Sequence, residues 1–223
     1  SFFKFFLIVV KYTLRKYSLL RILQLNALSK IKFKDSILDL GGNPGWNNIV
    51  SEANIGMGNN IEYADQNKTH KDTIKIDLET DTNVDIKFSN VTIINVLEHI
   101  KNYDNALKLC NKILKNNGTL IGSTPFMFKL HFSPNDYFRF TSQLLEEELV
   151  KNGFDEIEIT NLGLGPFTNF YSTISDYGFT ILPLLNVIIL IPLMILDSVF
   201  RLLNKNFVKY YPLGYFFSAK KKD

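Results

Sequence analysis

A single cysteine, Cys110, is all the thiol this chain has. It can close no disulfide within itself and build no cysteine-cluster zinc site. Histidine is nearly as scarce: His70, His99 and His131 are the only three, so no metal centre is expected. Net charge is small, since 25 Lys and Arg against 22 Asp and Glu leave +3. A broad basic run is missing as well, and nucleic acid is therefore not an expected partner. There is no Gly-Lys-Ser/Thr, which excludes a phosphate-binding P-loop. Disorder is excluded too, because 46% of the 223 residues are hydrophobic and only 21% charged. The length suits one domain with an embellishment.

Aromatic residues are abundant, with 19 Phe and 10 Tyr. Many sit in the first stretch, where Phe2 to Val10 is apolar apart from Lys4. Lys11, Arg15, Lys16 and Arg21 follow, interleaved with Tyr12, Leu14, Tyr17, Leu19, Leu20 and Leu23. This reads as one basic amphipathic helical arm over residues 1–30, either packed on the domain or lying on anionic lipid. The run is too short to span a bilayer and no small-residue cleavage site follows it. A second oily stretch runs from Phe179 to Phe200, interrupted by Pro183, Asn186 and Pro192. It predicts a kinked apolar helix, or two short ones, covering a site or dipping into one leaflet. The expected compartment is the cytoplasm, with peripheral contact at the inner face of a membrane.

Between these ends, short apolar runs alternate with helical patterns. Strands are predicted at Ser36–Leu40, Ile61–Ala64, Thr73–Ile76, Val91–Ile94, Thr119–Ser123, Glu156–Thr160 and Tyr215–Ala219. Helices are predicted at Asn105–Asn116 and at Thr141–Asn152, the second with Thr141 as its cap and Gly153 as its stop. The alternation implies a parallel α/β sheet. Residues 31–223 then form one domain, with 161–212 as an apolar insertion before the last strand.

Chemistry gathers where strands end. The first strand runs into Ile37-Leu-Asp-Leu-Gly-Gly-Asn-Pro-Gly-Trp46, a carboxylate followed by a glycine turn. Ligands bind at the carboxyl ends of strands in such sheets, and glycines let them approach the backbone. Asp39 would repel a pyrophosphate but suits a cationic or amino group. Asp65, after the second strand, can accept two ribose hydroxyls. Asp77 with Leu78, after the third, can take an adenine amino group and pack its ring. Asn95-Val-Leu-Glu-His-Ile100 follows the fourth. Four such features in order at four strand ends are hard to ascribe to helix capping alone.

At these residues the chain resembles the class I S-adenosylmethionine-dependent methyltransferases, in the group carrying a glycine-rich first motif and V-L-E-H. Thr124–His131, Pro134–Thr141 and Tyr211–Phe216 resemble a bacterial subgroup associated with surface polysaccharide synthesis. The resemblance covers residues 33 to 165 and the final strand. It implies a Rossmann-like sheet of seven strands, the last antiparallel, and S-adenosylmethionine as cofactor. It places Asp39, Gly41, Gly42, Gly45 and Asn95 at the methionine part, Asp65 at the ribose, and Asp77 and Leu78 at the adenine. Asn43 stands where the family has its middle glycine.

The implied reaction is methyl transfer, with O-methylation of a sugar, glycolipid or lipid-linked intermediate as the expectation. A hydroxyl acceptor profits from a base. His131, in the loop after the fifth strand, is the candidate, with Asp136 to orient it. Tyr137, Arg139 and His99 are candidates for holding the acceptor. Equally, Asp136 and Arg139 can pair with each other and pin that loop. A second reading, a silent cofactor-binding scaffold at a membrane surface, draws on Asn43. Amino-group methylation is disfavoured because no Asn/Asp-Pro-Pro-Tyr follows the fourth strand.

Overall fold

The computed structural model describes all residues except 1, 45–47, 54–57, 59, 68–69, 133, 176–181, 205 and 223. Gly45 and Trp46 of the first motif thus lie outside the described residues.

Seven strands form one sheet: β1 (Ser36–Leu40), β2 (Asn60–Asp65), β3 (Thr73–Lys75), β4 (Phe88–Ile94), β5 (Leu114–Pro125), β6 (Phe154–Leu162) and β7 (Gly214–Lys221). Their order is β3-β2-β1-β4-β5-β7-β6. The first five pair in parallel, and the register sets Asp39 between Tyr63 of β2 and Thr92 of β4. β7 runs antiparallel: Leu213 N–H donates to Leu162 O at one end and Lys222 N–H to Gly153 O at the other. Ile37, Leu38, Leu40, Val91, Ile93, Leu120 and Ile121 are buried along the central strands. Side chains apolar on both faces are what a doubly covered parallel sheet requires.

The helices are α1 (Phe2–Leu14), α2 (Leu19–Leu28), α3 (Ile49–Ala53), α4 (Tyr103–Ile113), α5 (Ser142–Lys151), α6 (Pro166–Ser175) and α7 (Pro183–Leu203). α5 starts on Thr141, whose side chain accepts the Leu144 N–H at 3.2 Å, and Gly153 follows its end. On α4, Ala106, Leu109, Cys110 and Ile113 are buried on one face. Burial pushes the Cys110 thiol up to about 12, so it is an inert core residue.

Two elements differ from the sequence-based expectation. The arm is two helices, because Lys16 adopts φ 64° and Ser18 caps α2 by accepting the Arg21 N–H. β5 begins earlier, at Leu114, and residues 115–118 bulge out between the pairs Phe88–Leu114 and Asn90–Thr119. Of the two alternatives for the second oily stretch, the structure has the single helix: α7 continues through Pro192.

The chain divides into two compact units. One comprises Ser1–Lys30, Pro125–Lys129 and Asn161–Tyr215, and in it α1 packs on α2 and α7, and α6 on α7. The other comprises Ile31–Thr124, Leu130–Thr160 and Phe216–Asp223 and holds most of the sheet.

Candidate functional site

In the sheet unit, the carboxyl ends of β1 to β4 open onto a cavity of about 220 Å³. Six residues expected from sequence line it: Gly41, Asp65, Asp77, Leu78, Asn95 and His99. Gln66, Glu79, Val96 and Pro134 line it too, and none of these was expected. Gln66 and Glu79 merely follow recognised residues, and no signal of their own marks them.

The turn after β1 is tight. Gly41 has φ +74°, and a Cβ there would lie 2.6 Å from Val96 Cγ2. Its N–H donates to Ala64 O at 2.7 Å. Only glycine fits that conformation in that gap. Asn95 also has a positive φ, 54°, a region asparagine tolerates, and its N–H donates to Ser123 O at 2.8 Å.

The acids are fixed by backbone donors. Asp65 Oδ1 accepts the Asn67 N–H at 2.8 Å. Asp77 Oδ1 accepts the Glu79 N–H at 2.9 Å, while the Asp77 N–H donates to Asp81 Oδ2 at 2.8 Å. Glu79 Oε1 accepts the Lys101 N–H at 2.7 Å, and Asn105 Nδ2 donates to the carbonyls of Leu78 and Asp81. The loop from 77 to 81 is thereby tied to the start of α4.

Asp39 and Gly42 do not line the cavity. The Asp39 carboxylate is buried, accepting from Asn48 Nδ2 at 2.7 Å and from Thr92 Oγ1 at 2.7 Å. It lies so close under Gly42 that a Cβ on that residue would sit 1.9 Å from Asp39 Oδ2. Burial raises the Asp39 carboxyl to about 6, against the pull of its two donors.

The acceptor-side candidates cluster around Glu98, which sequence reasoning passed over although it stands inside the V-L-E-H motif. Glu98 lies in the 3₁₀ turn Leu97–His99 and its side chain is fully enclosed. His99 Nε2 stands 3.8 Å and His131 Nε2 3.7 Å from the same oxygen, Glu98 Oε1. Asp136 accepts the His131 N–H at 2.9 Å and lies 3.4 Å from His131 Nδ1. It also takes both arms of the Arg139 guanidinium, which pulls the Asp136 carboxyl down to about 2. Arg139 therefore pins the loop instead of presenting its fork to a ligand. Tyr137 anchors the loop by donating its N–H to Glu98 O at 2.8 Å, and its side chain is exposed. His70 is exposed, 3.5 Å from Asp72.

Residues 13–158 match the model of a family described as a methyltransferase domain. No curated protein matches the sequence. Among solved structures, phosphoethanolamine N-methyltransferase 2 of Haemonchus contortus, in complex with S-adenosyl-L-methionine, superposes with a TM-score of 0.52 at 16% identity. That match covers 91% of this chain but 52% of the other, so the chain spans about half the length of that relative. A SAM-dependent methyltransferase from Archaeoglobus fulgidus gives 0.54 at 17% identity, covering 88% and 90%. The cyclopropane synthase MmaA2 of Mycobacterium tuberculosis gives 0.51 at 14%, covering 90% and 84%. At these identities the likeness is one of fold.

Proposed function

The chain belongs to the methyltransferase-domain family, and from that premise we propose that it moves a methyl group from S-adenosylmethionine to a hydroxyl of a sugar, a glycolipid or a lipid-linked intermediate. The observation that carries the cofactor reading is the cavity lined in strand order by Gly41, Asp65, Asp77 with Leu78, and Asn95. These residues fit the cofactor chemically. Asp65 offers acceptor oxygen to ribose hydroxyls, Asp77 to an adenine amino group, and Leu78 an apolar wall to the ring. The bare backbone at Gly41 and the nearby Asn95 suit the methionine part. When bound, the cofactor supplies a methyl group already activated on a sulfonium sulfur. What remains for the protein is to align the acceptor, a contribution of roughly 7–11 kcal/mol at best. Asp39 acts from beneath, bracing the glycine turn through Asn48 and Thr92. On the acceptor side we place His99, His131 and the exposed Tyr137.

The lipid-linked class of acceptor is supported by α7. This helix is long and apolar enough to cross a membrane by length and composition, and only 28% of its most apolar window is buried. We place the protein in the cytoplasm against the inner face of a membrane, in a subgroup serving bacterial surface polysaccharides. Support for the subgroup comes from the motifs at Thr124–His131, Pro134–Thr141 and Tyr211–Phe216.

Calorimetric titration with S-adenosylmethionine and S-adenosylhomocysteine tests the cofactor. Micromolar binding is expected, weakened at least about tenfold in Asp65→Ala by loss of charge-assisted hydrogen bonds. A folded wild type that binds neither ligand would overturn the reading.

A further inference from the structure

Glu98 poses a problem that the cofactor cavity does not solve. Its side chain is fully enclosed, yet among the described residues neither carboxylate oxygen has a hydrogen-bond partner, and the Arg139 guanidinium, bonded to Asp136, reaches it only through space. A buried ionised carboxylate needs a compensating charge or donor. Two imidazole nitrogens stand before it, at 3.8 Å (His99 Nε2) and 3.7 Å (His131 Nε2), too far for hydrogen bonds.

The other nitrogen of each ring is committed. His99 Nδ1 bonds the Asn135 carbonyl, which can only accept, so that nitrogen carries the hydrogen. His131 Nδ1 faces Asp136, whose carboxylate is held by Arg139. With each Nδ1 turned towards an acceptor, the Nε2 atoms are the ones directed at the carboxylate oxygen. A backbone carbonyl or a carboxylate behind a ligating imidazole is the usual outer shell of a metal site. The rings cross edge to face with centroids 4.8 Å apart, which brings both nitrogens to one space.

The three ligand atoms lie within 4.8 Å of one another, two of the separations being 3.8 and 3.7 Å. Tetrahedral zinc with bonds of about 2.1 Å holds its ligand atoms about 3.4 Å apart, so the side chains close in by some tenths of an ångström to about one ångström as the ion binds.

We propose that Glu98, His99 and His131 bind a divalent cation, with Zn²⁺ the best match to two imidazoles and one carboxylate. Three protein ligands leave a coordination position open. Because His99 also lines the cofactor cavity, that position belongs to the acceptor. A hydroxyl ligated there gives up its proton to bulk water more readily, since a bound cation lowers the pKa of a ligated oxygen. His131 then serves as a ligand and not as the base expected from sequence. This use of the cation rests on the methyl-transfer reading, whereas the binding of the cation does not.

The test is titration of chelator-treated protein with ZnCl₂ by calorimetry, with the visible spectrum of the Co²⁺ form as a second readout. One equivalent is expected to bind with micromolar affinity or better, and Co²⁺ to show the intense bands of four- or five-coordination. Glu98→Gln and His131→Ala should each weaken Zn²⁺ at least about a hundredfold, and His70→Ala should leave it unchanged. Should Glu98→Gln fail to fold, the loop variant His131→Ala decides. A wild type that binds no Zn²⁺, or binds it no better than His131→Ala, overturns the proposal. Cofactor calorimetry is read separately: Zn²⁺ binding without cofactor binding sinks the methyl-transfer reading and spares the site, and the reverse result sinks the site alone.

Discussion

Asp39 shows how one residue can serve a ligand site without touching it. Its carboxylate is enclosed with Asn48 and Thr92 as donors, and burial holds its carboxyl at about 6 against an ordinary 3.8. The folded state therefore binds this proton more tightly than the unfolded chain. Between those two values folding takes up a proton, so stability rises as pH falls through 6 towards 4. The gap corresponds to about 3 kcal/mol at most. Urea unfolding at pH 7.5 and pH 4.5 should show the wild type gaining about 2 kcal/mol of that relative to Asp39→Asn, which cannot titrate. A pH-independent difference between the two proteins would refute the burial argument. The motif around Asp39 was legible in the sequence, but the direction of its carboxylate was not. Nothing in the spacing says that Thr92, from a strand far along the chain, will meet it. Glu98 went unread for the same reason. A glutamate after a strand looks like a cap until His131 is seen beside it.

At the scale of elements, α6 depends on a residue outside itself. Asp197 of α7 is fully buried and accepts the N–H groups of Phe167 and Thr168 at 3.2 and 2.9 Å, and the Thr168 hydroxyl at 2.7 Å. It caps the first turn of α6 from 30 residues away. Gly165, with φ +153°, leaves room for it, since a Cβ there would approach Asp197 Oδ1 to 2.3 Å. Asp197→Ala strands one buried and one part-buried N–H group and should cost about 2–4 kcal/mol, read as a drop in melting temperature. Asp197→Asn, which keeps one acceptor, should fall in between. A neutral Asp197→Ala would show that α6 stands without its remote cap. The contrast with α5 is instructive. Thr141 and Gly153 mark that helix locally, and both ends were legible. α6 has no cap of its own in sequence and was not read. The break after α1 was missed because the basic and aromatic residues continue across it. In the structure the Arg15 guanidinium lies 5.2 Å from the Tyr12 ring and 5.3 Å from the Tyr17 ring, on either side of Lys16. Such cation–π contacts are worth about 0.5–2 kcal/mol each and turn the aromatic excess into a folded corner.

For the molecule as a whole, alternation of apolar runs gave the α/β class, while strand order came through likeness to a family, because spacing does not encode which strands pair. What neither could show is how α7 distributes its side chains. Its buried stripe includes Asn186 and Asp197 beside Val187, Leu190 and Met194. Its exposed side chains include Leu184, Ile188, Ile195, Val199, Leu202 and Leu203. A helix packed for water has the opposite arrangement, with polar residues outward. An outward aliphatic stripe on a helix of this hydropathy is what an interface with acyl chains would select. The whole protein should therefore cosediment with phosphatidylglycerol-containing vesicles. The double variant Ile188→Asp with Ile195→Asp places two charges on that face and should reduce the bound fraction constant by more than about tenfold. Both positions are exposed, so melting temperature and S-adenosylmethionine calorimetry should hold at wild-type values. Equal vesicle binding by the two proteins would show that α7 does not meet lipid. A wild type that ignores vesicles while methylating a soluble sugar would remove the membrane, and with it the lipid-linked acceptor, from the proposed reaction.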